Sequence, residues 1–243
     1  MNLRIVTITM ILLGLPSCGT KNLGDCPAAY PFVKCTVLTT DEKIRRALND
    51  GDLDTARTLL EEAITEEPDN YERYPLLSAV YAGLAGFQLL AILQQTSASG
   101  SSSITDAMDA FLPSPEGMTR EEYDSRIDLL GDAITTINSM PAEFLATAST
   151  DKYAASAAQQ LGIYQAAQAS MYMKLFTYDF TAGSPDPSQV SNLTEEDANV
   201  IMALLSSAAA GGGPMAEIAT ATLAAINAGG GTVRDNLANF LGS

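Results

Sequence analysis

Carboxylates and thiols are the reactive side chains whose spacing in this chain suggests chemistry, and the sequence contains no histidine. A serine or cysteine nucleophile paired with histidine is therefore excluded. The chain has 29 acidic side chains and three cysteines, Cys18, Cys26 and Cys35. The chemistry to consider is acid–base catalysis or calcium binding by the carboxylates, and covalent modification, disulfide formation or metal binding by the thiols.

One acidic segment has the spacing of a calcium loop. Asp50, Asp52 and Asp54 alternate, and Glu61 stands where such a loop places its bidentate ligand. Thr55, however, occupies the position that requires glycine for the sharp turn. We therefore interpret the segment as a turn followed by a helix with Asp52 as its N-cap, and we expect no metal site and no cofactor.

Two glutamate pairs, Glu61–Glu62 and Glu66–Glu67, place carboxylates at close spacing for acid–base work. Nothing around them predicts burial, so we interpret them as a solvated helix face and expect no enzymatic activity. Glu66 and Glu67 stand at the expected C-terminus of a helix, where acidic side chains are unfavourable. That conflict predicts a contact with a basic partner.

The N-terminal segment combines a basic start with a short apolar run. Arg4 precedes a mostly apolar stretch from Ile5 to Leu15, and a small residue stands before Cys18. These are the parts of a secretory signal. The run is shorter than the ~20 residues of a membrane-spanning helix, and Pro16 opposes its continuation, although a membrane anchor or a plain cleaved signal remains an alternative.

The sequence Leu15-Pro16-Ser17-Cys18 resembles the lipobox of bacterial lipoproteins. In that family the signal peptide ends before the cysteine, whose thiol carries a lipid. The resemblance implies a signal peptide over residues 1–17, a lipid on Cys18 and a protein exported to the periplasmic face of the bacterial cell envelope. Gly19, in place of Asp after the cysteine, favours the outer membrane under the enteric sorting rule of this family.

Cys26 and Cys35 remain as a pair in the segment that follows. An exported chain lies in an oxidising compartment, where such pairs persist as disulfides. Their spacing is not that of a CxxC redox motif, and no histidine or second cysteine pair completes a zinc site. We therefore predict a structural disulfide within a lipidated tether that spans residues 18–38.

The charge balance is strongly acidic, with 29 Asp and Glu against 13 Lys and Arg. This balance opposes nucleic-acid binding, which depends on contacts of Lys and Arg with phosphates. It also offers no polybasic patch for anionic lipids, so attachment to the membrane is expected to rest on the N-terminal lipid.

Residues 39–243 have a helical pattern without alternating strands. Thr40 or Asp41 is expected to cap the first helix, and Thr119 with Glu122 and Thr194 with Asp197 have the spacing of capping boxes. Together with Pro and Gly breaks, the caps predict a first helix that carries Ile44, Ala47 and Leu48 and a second from Leu53 that ends at Pro68. Further helices are predicted over 71–95, 104–112, 120–140, 151–179, 195–209, 215–227 and 232–241. The stretch 79–93 is apolar nearly all round, so we expect it to be the buried centre of the fold rather than a membrane span.

Eight residues from 56 to 81 form two consecutive patterns, small-x3-large-x2-small-x4-Pro and, six residues after that proline, aromatic-x2-Leu-Ser-x2-Tyr. They are Ala56, Leu60, Ala63, Pro68, Tyr74, Leu77, Ser78 and Tyr81. This register resembles the second helix and exit proline of a tetratricopeptide repeat, followed by the first helix of the next repeat. Leu60, Tyr74 and Ser78 depart from the usual Phe, Trp and Gly, and the pattern does not recur clearly at the ~34-residue period. An ordinary amphipathic helix pair is the alternative.

Tyr164, Met171, Tyr172, Met173 and Tyr178 share one predicted helix. Such a cluster either lines a ligand groove or belongs to the core, and helical spacing favours the core.

These observations predict an all-α protein of antiparallel helix pairs, either a tetratricopeptide-like array or a bundle. The expected function is that of a lipid-anchored, non-catalytic scaffold or adaptor for a protein partner in the cell envelope. The alternative is a ligand-binding accessory component of a periplasmic transport system, since the long helix pairs also resemble the T-component lipoproteins associated with TRAP transporters. A scaffold predicts an open groove, whereas a transport component predicts a closed pocket with a few convergent polar groups.

Overall fold

The computed structural model describes residues 38–87, 111–211 and 214–242. These residues form an all-α structure, as predicted. Its helices are α1 (Thr40–Asp50), α2 (Leu53–Glu66), α3 (Arg73–Leu84), α4 (Arg120–Asn138), α5 (Ala142–Leu145), α6 (Lys152–Leu175), α7 (Glu195–Ala210), α8 (Pro214–Asn227) and α9 (Val233–Gly242). The contacts within the chain divide it into two compact units, Met1–Lys43 and Ile44–Ser243. The helices pack on one another within the second unit.

Polar caps determine where the helices begin. The predicted caps are confirmed at Asp52, Thr119 and Thr194, and the last two close reciprocal capping boxes. At α1 the prediction of Thr40 or Asp41 is wrong by one residue. Thr39 is the cap, since its Oγ1 accepts a hydrogen bond from the backbone N–H of Glu42.

Helix α3 is much shorter than the predicted helix over 71–95, because it ends at Leu84. Gly86 adopts a φ of 85°, in the left-handed region that favours glycine. The N–H of Gly86 donates to the carbonyl of Gly83, and the N–H of Phe87 donates to the carbonyl of Ala82. This is the Schellman pattern of a helix end. Apolar periodicity alone missed it because apolar residues continue past the stop.

The segment between α6 and α7 also differs from the prediction. Helix α6 ends at Leu175, short of residue 179, and a short antiparallel ladder joins β1 (Tyr178–Asp179) to β2 (Ser184–Pro185). A 3₁₀ helix, Pro187–Asn192, follows. These elements and α5 are too short to show a period in the sequence. The predicted helix over 104–112 lies almost entirely outside the described residues.

Successive long helices run antiparallel. Leu53 at the start of α2 lies against Gly83 at the end of α3. Between α3 and α4, Ser78 Oγ donates to the carbonyl of Ala133, and Arg126 Nη1 donates to the carbonyl of Ala85, so the ends of the two helices are again reversed. Helix α4 is likewise reversed against α6, since Arg120 lies over the ring of Phe176 and the carbonyl of Ile127 accepts from Gln168. Helix α6 packs against α7, and α7 packs against α8.

The helices form two layers. Besides its sequence neighbours, α3 contacts α6, and α6 contacts α8. Helices α3, α6 and α8 therefore make one layer. The other helices pack on this layer, α2 against α3, α4 against α3 and α6, and α7 against α6 and α8. Helix α9 packs against α7, α8 and the 3₁₀ helix at the C-terminal end of this array.

Among the described residues, the core consists of two clusters. The smaller cluster joins α1, α2 and one face of α3, and the larger one extends from α3 to α9. Its centre is α6, in which every residue from Gly162 to Met171 is buried. The prediction that residues 79–93 form the centre therefore needs correction. Helix α3 is well buried, but α6 is the most completely enclosed helix of the described part, and residues 88–93 lie outside that part.

Candidate functional site

Cys18, Cys26 and Cys35 lie outside the described residues. Lipidation of Cys18 and the disulfide between Cys26 and Cys35 therefore stay predictions. Among the described helices, none is both long and apolar enough to span a bilayer.

The acidic residues of the calcium-like segment have separate local roles. Asp52 caps α2, since its Oδ1 accepts from the N–H of Thr55 at 3.1 Å and its Oδ2 from Thr55 Oγ1 at 2.7 Å. These hydrogen bonds, with the hydroxyl contributing most, lower the pKa of the Asp52 carboxyl. Asp54 lies 3.2 Å from Arg57. Within the described ranges, no three acidic or cysteine side chains are placed to hold a metal ion.

The repeat-like residues bring α2 and α3 together. Ala56, Leu60 and Ala63 form the buried face of α2, and Leu77 of α3 belongs to the same cluster. The small side chains let the two helices approach closely, and Leu60 fills the space between them. Pro68 is exposed and follows the end of α2.

The polar members of the same register make specific hydrogen bonds. Tyr74 Oη donates to the carbonyl of Pro68 at 2.9 Å, and Ser78 Oγ, fully buried, donates to the carbonyl of Ala133 at 2.7 Å. Tyr81 Oη donates to Glu61 Oε1 at 2.6 Å. Burial, together with that bond to Glu61, raises the pKa of Tyr81 to about 12.

Arg73 lies at the C-terminus of α2, where the sequence places two unfavourable acidic side chains, Glu66 and Glu67, and it forms an ion pair with Glu67. Its guanidinium is buried, and Nη1 lies 2.7 Å from the carbonyl oxygen of Ala63 and 2.9 Å from Glu67 Oε2. The cation therefore compensates both the negative carbonyl end of α2 and the acid Glu67 that follows it. The expected basic contact of Glu67 is made within the chain, and sequence reasoning missed its source because Arg73 belongs to the next helix.

The predicted core assignment of the tyrosine and methionine cluster is confirmed for four of its five members. Tyr164, Met171, Met173 and Tyr178 are buried. Tyr172 is half-buried and lies at the surface among acidic side chains.

These acids form a surface that sequence reasoning did not single out, which we name the acidic ridge: Glu61 of α2, Asp124, Asp128 and Asp132 of α4, and Asp197 of α7. The three aspartates of α4 are spaced four residues apart and so lie on one face, over about 12 Å. Tyr81 of α3 and Tyr172 of α6 lie within the ridge. The ridge therefore crosses five helices.

The acidic side chains of the ridge raise the pKa values of their neighbours' carboxyl groups. Burial raises the pKa of the Asp124 carboxyl, Arg120 opposes that shift, and Asp128 adds to it. Burial likewise raises the pKa of the Asp132 carboxyl, with further contributions from Asp128 and Glu61. Like charges this close repel, so the arrangement costs stability in the isolated protein.

No family model, curated protein or solved structure matches this chain.

The acidic ridge is suited to attract a cationic group. Its carboxylates lie at the surface, and its two tyrosines offer apolar rings with polar ends, a combination that favours protein contacts. The spacing of Asp124, Asp128 and Asp132 was the available signal in the sequence. Glu61 and Asp197 join them only through the packing of α2 and α7 on their neighbours.

Proposed function

We propose that this protein is a lipid-anchored, non-catalytic helical scaffold of the bacterial cell envelope that binds a protein partner. The observation that carries the proposal is the succession of packed helices, in which α2, α3, α4, α6, α7 and α8 each contact the next and α6 also contacts α3 and α8. Arrays of this kind present a continuous surface built from several helices, and proteins use such surfaces to bind other proteins.

The end of α3 supports the tetratricopeptide-like character of the proposal. A repeat in the register of Tyr74, Leu77, Ser78 and Tyr81 would turn near Ala85. The chain turns there through the Gly86 helix end.

The acidic ridge defines the chemistry of the partner. Five carboxylates lie around two half-buried tyrosines, so the ridge fits a basic polypeptide segment whose Lys or Arg side chains pair with the acids. The half-buried rings of Tyr81 and Tyr172 provide the apolar contact.

A photo-crosslinking side chain placed on the ridge tests this proposal. Thr135 is exposed and lies seven residues after Asp128, on the same face of α4, whereas Ala221 is an exposed position on α8. In envelopes we expect one basic protein to crosslink from Thr135 and not from Ala221. The same yield from both positions, or none from Thr135, would contradict the proposal.

The anchor makes a separate prediction. The Cys18→Ala variant cannot carry the lipid, so we expect it to move from the membrane fraction to the soluble fraction of the envelope, since the strongly acidic chain has no basic patch to hold it. Fractionation followed by immunoblotting measures this, with Cys26→Ala as the control that keeps the lipid. If the amount of Cys18→Ala in the membrane fraction equals that of the wild type, the lipid-anchor proposal is wrong.

A further inference from the structure

Helix α9 lies in a groove of the array, as an amphipathic peptide helix lies on its receptor. The groove is formed by α7, α8 and the 3₁₀ helix, all of which contact α9. Leu237 is completely buried, and Val233, Phe240 and Leu241 are half-buried against the larger core cluster. These four residues stand at positions i, i+4, i+7 and i+8, so they follow one face of α9 in the pattern of a helix that binds in an apolar groove.

A polar contact fixes the position of α9 in this groove. Arg234 Nε donates to the carbonyl of Leu193, the residue that ends the 3₁₀ helix, at 2.7 Å. Arg234 is half-buried, and a hydrogen bond from a charged donor is stronger than one between neutral groups. The groove therefore recognises a cation beside an apolar helix face.

Helix α9 buries fewer side chains than the helix beside it. Of its ten residues, Leu237 is completely buried, whereas α7 has four such residues, Ala198, Ile201, Leu205 and Ala208. A helix of ten residues is also too short to be stable by itself in water. Removing α9 from the groove therefore costs much less free energy than unfolding the array, and α9 unfolds when it leaves.

The loop before α9 gives it freedom to leave. Residues 229–231 are three exposed glycines, and glycine restrains the backbone less than any other residue. The hydrogen bonds at the α9 side of this loop are local. The N–H of Gly231 donates to Asn236 Oδ1 at 3.0 Å, and Thr232 Oγ1 accepts from the N–H of Asp235 at 3.2 Å. These bonds hold the first turn of α9 together but do not tie it to α7 or α8.

We propose that α9 is a strap that opens about the glycine loop while the rest of the array stays folded, and that the uncovered groove binds an amphipathic helix of a partner protein. The partner helix carries apolar side chains at positions i, i+4, i+7 and i+8 and a cation at i+1, because these features hold α9 in place. In the closed state α9 competes with the partner at a high effective concentration. The groove does not involve the acids of α4, so the proposal does not depend on the acidic ridge.

A fluorescent peptide with the sequence of residues 231–242 tests the groove in the full chain. The variant Leu237→Asp cannot bury its own α9, so we expect it to bind the peptide at least about tenfold more tightly than the wild type does. Fluorescence anisotropy measures both affinities. A peptide that itself carries Leu237→Asp is expected not to bind. Equal affinities of the two proteins, or binding of the substituted peptide, would overturn the proposal.

Hydrogen exchange measures the opening of α9 in the wild type, which does not depend on how well Leu237→Asp folds. We expect the amides of α9 to exchange at least about tenfold faster than those of α6, with a weaker dependence on urea, because a local opening exposes less surface. Arg234→Ala is expected to accelerate exchange in α9 roughly tenfold. The control Arg57→Ala, which removes an exposed ion pair of α2, should leave α9 unchanged. If α9 and α6 share one exchange rate and one urea dependence, α9 opens only with the whole array and is no strap.

Sedimentation equilibrium distinguishes a partner helix from the α9 of a second copy. If the groove serves a partner helix, we expect the wild type to stay monomeric over the concentrations used for the peptide titration. Self-association that an excess of the peptide reverses would assign the groove to a second copy and overturn a partner helix as its occupant.

Discussion

Replacing Arg73 by alanine is expected to lower the free energy of unfolding by about 3 kcal/mol. The buried guanidinium makes a hydrogen bond to the carbonyl of Ala63 and an ion pair with Glu67. A hydrogen bond to a charged group contributes roughly 1.5–3 kcal/mol, and the aliphatic stem of a buried arginine adds packing that alanine loses. The variant also leaves the end of α2 without its positive charge.

Urea denaturation followed by circular dichroism measures this loss, and two controls separate its parts. Arg73→Lys retains the charge but not the planar guanidinium, so we expect a smaller loss. Glu67→Gln removes only the exposed partner, and we expect it to cost less than ~0.5 kcal/mol. If Arg73→Ala costs no more than Glu67→Gln, the guanidinium does not hold the end of α2.

The sequence predicts features that depend on near neighbours in the chain. The caps at Asp52, Thr119 and Thr194 are confirmed because each involves a residue and a backbone N–H three positions later. Ala56, Leu60 and Ala63 of the repeat-like register share the buried face of α2, because their spacing on one helix determines which side faces the core.

Features that depend on packing between helices were not predicted from the sequence. The amide of Gln168 is satisfied by a carbonyl on α4, and the contact between Arg73 and Ala63 joins two helices across a turn. The acidic ridge shows both cases, since the spacing of its three α4 aspartates is visible in the chain, whereas Glu61 and Asp197 join them only in the folded structure. Apolar periodicity also predicted too long a helix at α3, because Gly86 ends the helix although apolar residues continue after it.

Removing the charges of the acidic ridge is expected to change both the free energy of unfolding and the affinity for a basic peptide. In the variant Asp124→Asn/Asp128→Asn/Asp132→Asn, we expect the free energy of unfolding to rise by up to about 0.5 kcal/mol. The removal of two like-charge pairs at four-residue spacing outweighs the loss of the exposed ion pair between Asp124 and Arg120. We expect the affinity for an oligolysine peptide, a stand-in for the basic partner segment, to fall roughly 100-fold at low salt. Three exposed ion pairs at ~1 kcal/mol each account for that factor.

The pH dependence of the wild type provides an independent measure of the same charges. The pKa values of Asp124 and Asp132 lie above the ordinary 3.8 in the folded protein. Between 3.8 and the raised values, the folded state binds more protons than the unfolded state, so stability rises as the pH falls through that window. Binding of oligolysine is expected to weaken over the same window, because protonation removes the charges that attract it.

A triple variant of equal net charge separates the position of the acids from their number. Glu116, Glu143 and Glu217 are exposed and lie outside the ridge, so replacing all three by glutamine changes the net charge by the same amount. Isothermal titration calorimetry should show a small loss of oligolysine affinity for this control and a large one for the ridge variant. Equal losses would mean that oligolysine responds to net charge alone, and the ridge would then be no docking surface. A ridge variant that is more stable yet binds less would show that these acids are held in place against the stability of the fold, as expected of residues kept for binding.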